Sequence, residues 1–193
     1  MIDISLNVND FLIKYPETKG YSVVDQGNSS YFTMDSHFGT HVDAPCHFIE
    51  NGKTIDDIDT NLFVGICQVV ETDDLSYGNL KNVVLNSNRL FFKCNKELIE
   101  KNEFDENYIG FTEDGTNWLI ENGVEVVGID YLSIESYNSK DFVVHKKLLE
   151  KEIMIVESLN MNKINEGIYK YYCFPIKCSN EGSPARVFVE RLK

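Results

Sequence analysis

Apolar residues in this chain come in short runs separated by turn-forming residues, and the spacing within most runs is that of strands. The segment Gly65-Ile66-Cys67-Gln68-Val69-Val70-Glu71 is compact and β-branched, which predicts a buried strand. Residues 89–93, 124–130, 153–157, 171–177 and 186–191 carry the same signature, as does the shorter Val83-Val84-Leu85. Residues 20–26 and 30–38 predict two further strands, and residues 1–12 a short strand and turn. Two stretches depart from this pattern. Residues 112–122 predict a helix that Thr112, Asp114 or Gly115 can cap and Asn122-Gly123 can end. Residues 145–151 predict a second helix. Helices interleaved with an excess of strand define an α/β or α+β class. No linker-like composition divides the chain, so residues 1–193 are expected to form one domain.

Composition narrows the picture. A chain of 193 residues, 42% hydrophobic and 12% aromatic, can bury a substantial core. No apolar run approaches the roughly 20 residues of a membrane-spanning helix. The opening Met1-Ile2-Asp3-Ile4-Ser5-Leu6 lacks the basic start and apolar stretch of a signal peptide, so a cytoplasmic location without a membrane partner is expected. The five cysteines are scattered with no Cys-x-x-Cys pair, which argues against a zinc ribbon or a disulfide framework. A formal charge of −13 repels phosphate backbones and argues against a nucleic-acid partner.

The candidate chemistry lies in the histidines. The chain has four, and three fall in the run His37-Phe38-Gly39-Thr40-His41-Val42-Asp43-Ala44-Pro45-Cys46-His47-Phe48. Neutral imidazole and carboxylate are the usual ligands of zinc and similar divalent ions. In an extended segment, odd positions share a face, so His37, His41 and Asp43 are expected to point the same way from one strand. Gly39, between the two histidines, would leave room for an ion. Pro45 should end the strand and displace His47 from the other three. A helix would also bring His37 and His41 together, but Gly39, Val42 and Pro45 argue against one. Cys46 is a candidate nucleophile, although adjacent residues in an extended chain point apart, which makes a direct Cys46–His47 pair awkward.

The fourth histidine, His145, opens a predicted helix that is followed by the strand ending at Glu157. A helix of about seven residues runs roughly 10 Å. The strand can return that distance and more, so His145 and Glu157 can meet and join the first cluster. The alternative for Glu157 is a strand-end carboxylate facing water. Asp130, at the end of residues 124–130, is either a partner for a ligand histidine or another solvent-facing acid.

With these residues in view, the run His37 to Phe48 resembles the His-x-Gly-Thr-His-x-Asp-x-Pro-x-His-Phe signature of the metal-dependent cyclase-like hydrolases, a family that includes bacterial kynurenine formamidase and isatin hydrolase. The likeness continues in Val127-Gly128-Ile129-Asp130-Tyr131-Leu132-Ser133, in the spacing of His145 and Glu157, and in Glu181-Gly182-Ser183-Pro184-Ala185-Arg186. The resemblance implies a swivelling β/β/α fold, with a barrel-like mixed sheet and flanking helices. It implies that His37, His41 and Asp43 hold a metal ion, Zn2+ or Mn2+, and that His145 and Glu157 hold a second ion or support the first. It implies that His47 is the catalytic acid/base and that a small amide is hydrolysed. It further implies a homodimer or homotetramer, with the neighbouring subunit helping to close the pocket. Tyr15, Phe38 and Arg186 are candidate substrate contacts. One departure stands out: where the formamidases carry a Trp-Pro-Gly-Asp-like stretch, this chain has Tyr15-Pro16-Glu17-Thr18, and its only Trp, Trp118, is expected in the core. Two rival readings remain: a metal-binding module without turnover, and a cysteine-dependent enzyme using Cys46. A lactone or ester substrate is the alternative to an amide.

Overall fold

The computed structural model describes residues 1–95 and 98–192. In chain order the strands are β1 (Ile2–Asp3), β2 (Tyr21–Asp25), β3 (Ser30–Met34), β4 (His41–Asp43), β5 (Val64–Glu71), β6 (Arg89–Lys93), β7 (Val126–Ile129), β8 (Met154–Glu157), β9 (Gly167–Pro175) and β10 (Gly182–Arg191). The helices are α1 (Tyr77–Leu80), α2 (Leu98–Lys101), α3 (Glu113–Glu121) and α4 (Val143–Glu150). Strands β10, β4, β8, β7, β6, β5 and β9 follow one another around a mixed sheet, which closes because β9 also pairs with β10; β1 is added on the other edge of β10. Strands β2 and β3 form a separate hairpin. This is the barrel-like α/β architecture that the family resemblance implied.

The sheet is part parallel and part antiparallel, and the helices follow from that division. The pairings β5–β6, β6–β7 and β7–β8 are parallel. Parallel neighbours need crossover connections, and those connections carry α1, α2, α3 and α4. Side chains alternate accordingly. Phe91, Val126, Met154 and Val156 join Cys67, Tyr169, Tyr171 and Val187 in the barrel interior. Leu90, Phe92, Val127, Ile129 and Ile155 point outward, onto Trp118, Leu119, Leu148 and Leu149 of α3 and α4. Strands covered on both faces read as continuous apolar runs, which is why their sequence signal is strong. Thr112 caps α3, its hydroxyl accepting from the amide of Gly115. Among the described residues, no helix is long and apolar enough to cross a membrane.

Several predicted boundaries move. Val83-Val84-Leu85 is not a strand; its Val84 carbonyl accepts from Gln68 Nε2 (3.0 Å), and Gln68 Oε1 accepts from the Asn86 amide just beyond it (2.8 Å). The strand predicted over residues 30–38 stops at Met34, and those predicted to start at 171 and 186 begin at Gly167 and Gly182.

Candidate metal centre

Two strands, one helix and the turns beside them converge on the outer face of the barrel. His41 and Asp43 lie on β4 with Val42 between them; Val42 points into the core, so the other two face away from it. Pro45 follows the end of β4 and opens a 3-10 turn that carries His47. In the antiparallel pairing of β4 with β8, His41 stands opposite Glu157. His145, on α4, reaches the same place, with Nε2 3.2 Å from Glu157 Oε1 and 3.8 Å from Asp43 Oδ2. The predicted return of strand past helix therefore occurs.

His37 arrives differently from the sequence expectation. It is not on the strand but in the turn before it, and Gly39 reverses the chain with φ of +72°. The space beside Gly39 is taken: a Cβ there would stand 3.3 Å from Val8 Cγ2 and 3.5 Å from Leu12 Cδ2. Gly39 thus serves through its backbone rather than by leaving room for an ion. Its carbonyl accepts from His41 Nδ1 at 2.8 Å, which puts a proton on Nδ1 and makes Nε2 the ring nitrogen that faces the centre. There His41 Nε2 lies 3.4 Å from Asp43 Oδ1 and 3.3 Å from Glu157 Oε2, and His37 Nδ1 lies 3.0 Å from Asp43 Oδ1.

Two donor groups result, His37–His41–Asp43 and Asp43–His145–Glu157, each with its ligand atoms within 4.8 Å of one another, and Asp43 belongs to both. Among the described residues, His41 Nε2 and both carboxylate oxygens of Asp43 are buried without a hydrogen bond of good geometry, their near neighbours being the other groups of the centre. Burying such atoms is expensive unless something satisfies them, and a cation between them would. The electrostatics agree. Burial alone would lower His41 and His145, but the carboxylates outweigh it: Asp43 and Glu157 push His41 up to about 10, and Glu135 with Glu157 pushes His145 up to about 10. Burial would raise Asp43, yet His37 and His41 hold it well below the ordinary carboxylate range. The carboxylates thus make the cluster favourable to positive charge, and mixed imidazole and carboxylate donors suit a divalent metal ion.

A cavity of about 230 Å3 opens over the centre. His37, His47, His145 and Glu157 line its inner end, and Tyr15, Phe48, Leu132 and Phe142 are among its walls. His47 stands outside both donor groups, its ring 4.2 Å from that of His37 and 6.1 Å from that of His145. Burial lowers its pKa, with His37 and His145 adding to the effect against Asp43 and Glu157.

Of the three candidate substrate contacts, only Tyr15 lines the cavity. Phe38 is buried, 2% exposed, and lies beneath Gly20 rather than in the cavity wall. Arg186 sits within β10; its Nε donates to Asp3 Oδ2 at 2.8 Å and its guanidinium lies over Phe188. Asp130 is neither a histidine partner nor a solvent-facing acid. It is buried and accepts from the amides of Cys94 (3.1 Å) and Asn95 (2.9 Å). The partner of His145 is Glu135, whose Oε2 lies 2.8 Å from Nδ1. The signal was an acid closing the otherwise uncharged Tyr131-Leu132-Ser133-Ile134 stretch, two residues beyond the motif block. Sequence reasoning also missed the closeness of Gly182 to the His37 ring and the ring pair Phe48–Phe142, whose centroids are 4.9 Å apart.

A closed mixed barrel with a buried imidazole and carboxylate cluster under a small cavity defines a class of α/β protein whose candidate site could hold a divalent ion. The chain belongs to the cyclase family: the family model described as "Putative cyclase" matches residues 2–136. Cyclase-like protein 3 of Oryza sativa subsp. japonica is 33% identical over 177 residues, covering 83% of this chain. This chain spans 65% of that relative's length. A kynurenine formamidase of Bacillus cereus is 29% identical over 99% of this chain and 97% of its own. A solved structure described as a potential metal-dependent hydrolase with cyclase activity superposes with a TM-score of 0.89, at 26% identity, over 99% of this chain and 98% of its own.

Proposed function

We propose that this protein is a metal-dependent hydrolase that cleaves a C–N amide bond in a small molecule. The observation that carries the reading is Asp43, one buried carboxylate shared by two donor groups beside a cavity that holds a free histidine. The kynurenine formamidase relative, similar over nearly the whole length of both chains, supports an amide as the substrate class.

His37, His41 and Asp43 would hold one divalent ion, Zn2+ or Mn2+, and Asp43, His145 and Glu157 a second. When bound, the metal supplies Lewis acidity, which polarises the substrate carbonyl and makes water a nucleophile near neutral pH. The remaining work belongs to the chain. His47, outside the donor groups, takes the proton from the attacking water and returns it to the leaving nitrogen. Tyr15, Phe48, Leu132 and Phe142 hold the apolar body of the substrate and exclude water. Among the described residues lining the cavity none is Lys or Arg, while Glu17 and Asp35 are there, which favours a substrate without a free carboxylate.

Elemental analysis of the purified protein, followed by a panel of aryl formamides, lactams, lactones and esters, tests the reading. The expected result is stoichiometric zinc or manganese and turnover of amides. A native protein purified without chelator and free of metal overturns it. Metal without turnover indicates a binding module, and turnover of esters alone moves the reaction class. The apolar side chains exposed on the β2–β3 hairpin, Val23, Val24, Tyr31 and Phe32, support assembly as a homodimer or homotetramer. Light scattering in solution tests that assembly.

A further inference from the structure

We propose that Glu135 is a positioning residue for the donor group Asp43–His145–Glu157: one buried carboxylate caps α4 and fixes which nitrogen of His145 faces the metal. The inference rests on the metal reading above.

The start of α4 needs outside help. Its N-cap position is Phe142, left-handed at φ 50° and ψ 41°, with no side-chain cap. The first amides of a helix have no partner within it. Glu135 supplies one from a separate loop. Its Oε1 accepts from the Val144 amide and its Oε2 from the His145 amide, both at 3.3 Å. A carboxylate at a helix N-terminus is also favoured by the helix dipole.

The same Oε2 accepts from His145 Nδ1 at 2.8 Å. That contact holds a proton on Nδ1 and turns Nε2 toward Glu157 and Asp43. A helix cap and a ring orienter are thus one group, so His145 cannot rotate without loosening the turn that carries it. Glu135 is itself held rigidly. It is 3% exposed, Ser139 Oγ donates to its Oε1, and Tyr108 Oη donates to its carbonyl at 2.5 Å. The preceding residue acts on the other ligand: the Ile134 amide donates to Glu157 Oε1 at 2.7 Å. Two consecutive residues of one loop therefore orient two of the three donors, and Glu135 does so with its side chain. In the group His37–His41–Asp43 the corresponding role falls to backbone, since the hydrogen-bond partner of His41 Nδ1 is the Gly39 carbonyl.

Glu135→Gln tests the proposal. It keeps the shape but places an NH2 among donors, so it cannot accept from both the α4 amides and Nδ1. Metal-free protein is titrated with Zn2+ and with Mn2+ by calorimetry, and ions per chain are counted after gel filtration. Imidazole 15N spectra of the zinc-loaded protein report which His145 nitrogen carries the proton. The expected result is that the first ion binds as in wild type. The second should bind about 10–100-fold more weakly, the usual effect of losing an outer partner of a metal histidine. The 15N signals of His145 should change while those of His41 do not. Wild-type affinity for both ions with an unaltered His145 spectrum overturns the proposal, as does an equal loss at both groups, which marks a folding defect. If Glu135→Gln does not fold, Ser139→Ala replaces it: removing one of the two donors to Oε1 loosens the Glu135 carboxylate while both of its caps on α4 remain possible, and must weaken the second ion alone. A wild-type protein that takes up no ion sinks the metal reading itself, and this inference with it.

Discussion

Gly182 lies against the ring of His37: a Cβ built on Gly182 would stand 2.6 Å from Cε1 and 2.8 Å from Nε2. No real Cβ sits that close, so Gly182→Ala must move the imidazole. The ring has little room to move, because His47 is 4.2 Å away and His41 5.0 Å, centroid to centroid. The backbone of Gly182 is not left-handed, and it pairs with Asp43 in the β10–β4 register, so the glycine serves the ring rather than a turn. Gly182→Ala is expected to weaken metal binding at His37–His41–Asp43 by about 10–100-fold, as misplacing a ligand does. The metal-free fold should lose about 1–3 kcal/mol, the usual cost of forcing an extra methyl group into packed surroundings. Competition with a chromogenic chelator reads the first and thermal unfolding of metal-free protein the second. Unchanged affinity would show that His37 is not a ligand.

His47 is set apart from the proposed ligands by Pro45, which follows β4 and turns the chain before it. His47→Ala should therefore leave metal content unchanged while lowering kcat by about 10²–10⁴-fold, the usual worth of a positioned acid/base. Metal loss in this variant would place His47 among the donors instead. Full activity with full metal would remove it from the reaction.

Metal removal should be visible in stability without any substrate. A ligand present at 100 times its Kd stabilises the folded state by about 2.7 kcal/mol. For a chain of this size that corresponds to a rise in Tm of roughly 5–10 °C. Chelated protein should melt lower by that amount and recover on adding Zn2+ or Mn2+. Mg2+, which prefers oxygen ligands, should recover little. A melting curve indifferent to chelator and metal would mean that the buried donors do not hold an ion.

The parts of this site that were legible in the sequence depend on periodicity and chain length alone. His41 and Asp43 share a face because strands alternate, and Glu157 meets His145 because a short helix and a strand of similar span return to one level. The parts that were hidden depend on irregular backbone. His37 leaves the strand because Gly39 turns left-handed, which alternation cannot show. Glu135 reaches α4 only through the path of residues 136–142, and Phe142 adopts a left-handed conformation that its residue type disfavours. Arg186 was expected at the start of a strand; β10 begins four residues earlier, at Gly182, and the arginine meets Asp3 rather than the cavity.

Cys46 offers the sharpest contrast between mechanisms, because it is adjacent to His47 in sequence but serves a different side of the structure. It packs against the core cluster that holds Ala44 and Val42, whereas His47 lines the cavity. Its thiol is pushed up by burial, with Glu181 and Asp57 adding to the effect, so the thiolate needed for attack is disfavoured at neutral pH. The neighbouring histidine does not relieve this, since its ring is engaged with those of His37 and Phe48. Cys46→Ser should therefore keep both metal content and turnover within about twofold of wild type, with a stability loss of about 1–2 kcal/mol for placing a hydroxyl in an apolar contact. Thiol alkylation should likewise leave activity in place while chelation abolishes it. The opposite pair of results, loss on alkylation and persistence under chelation, would assign the chemistry to sulfur and leave the histidine and carboxylate centre with a purely structural role.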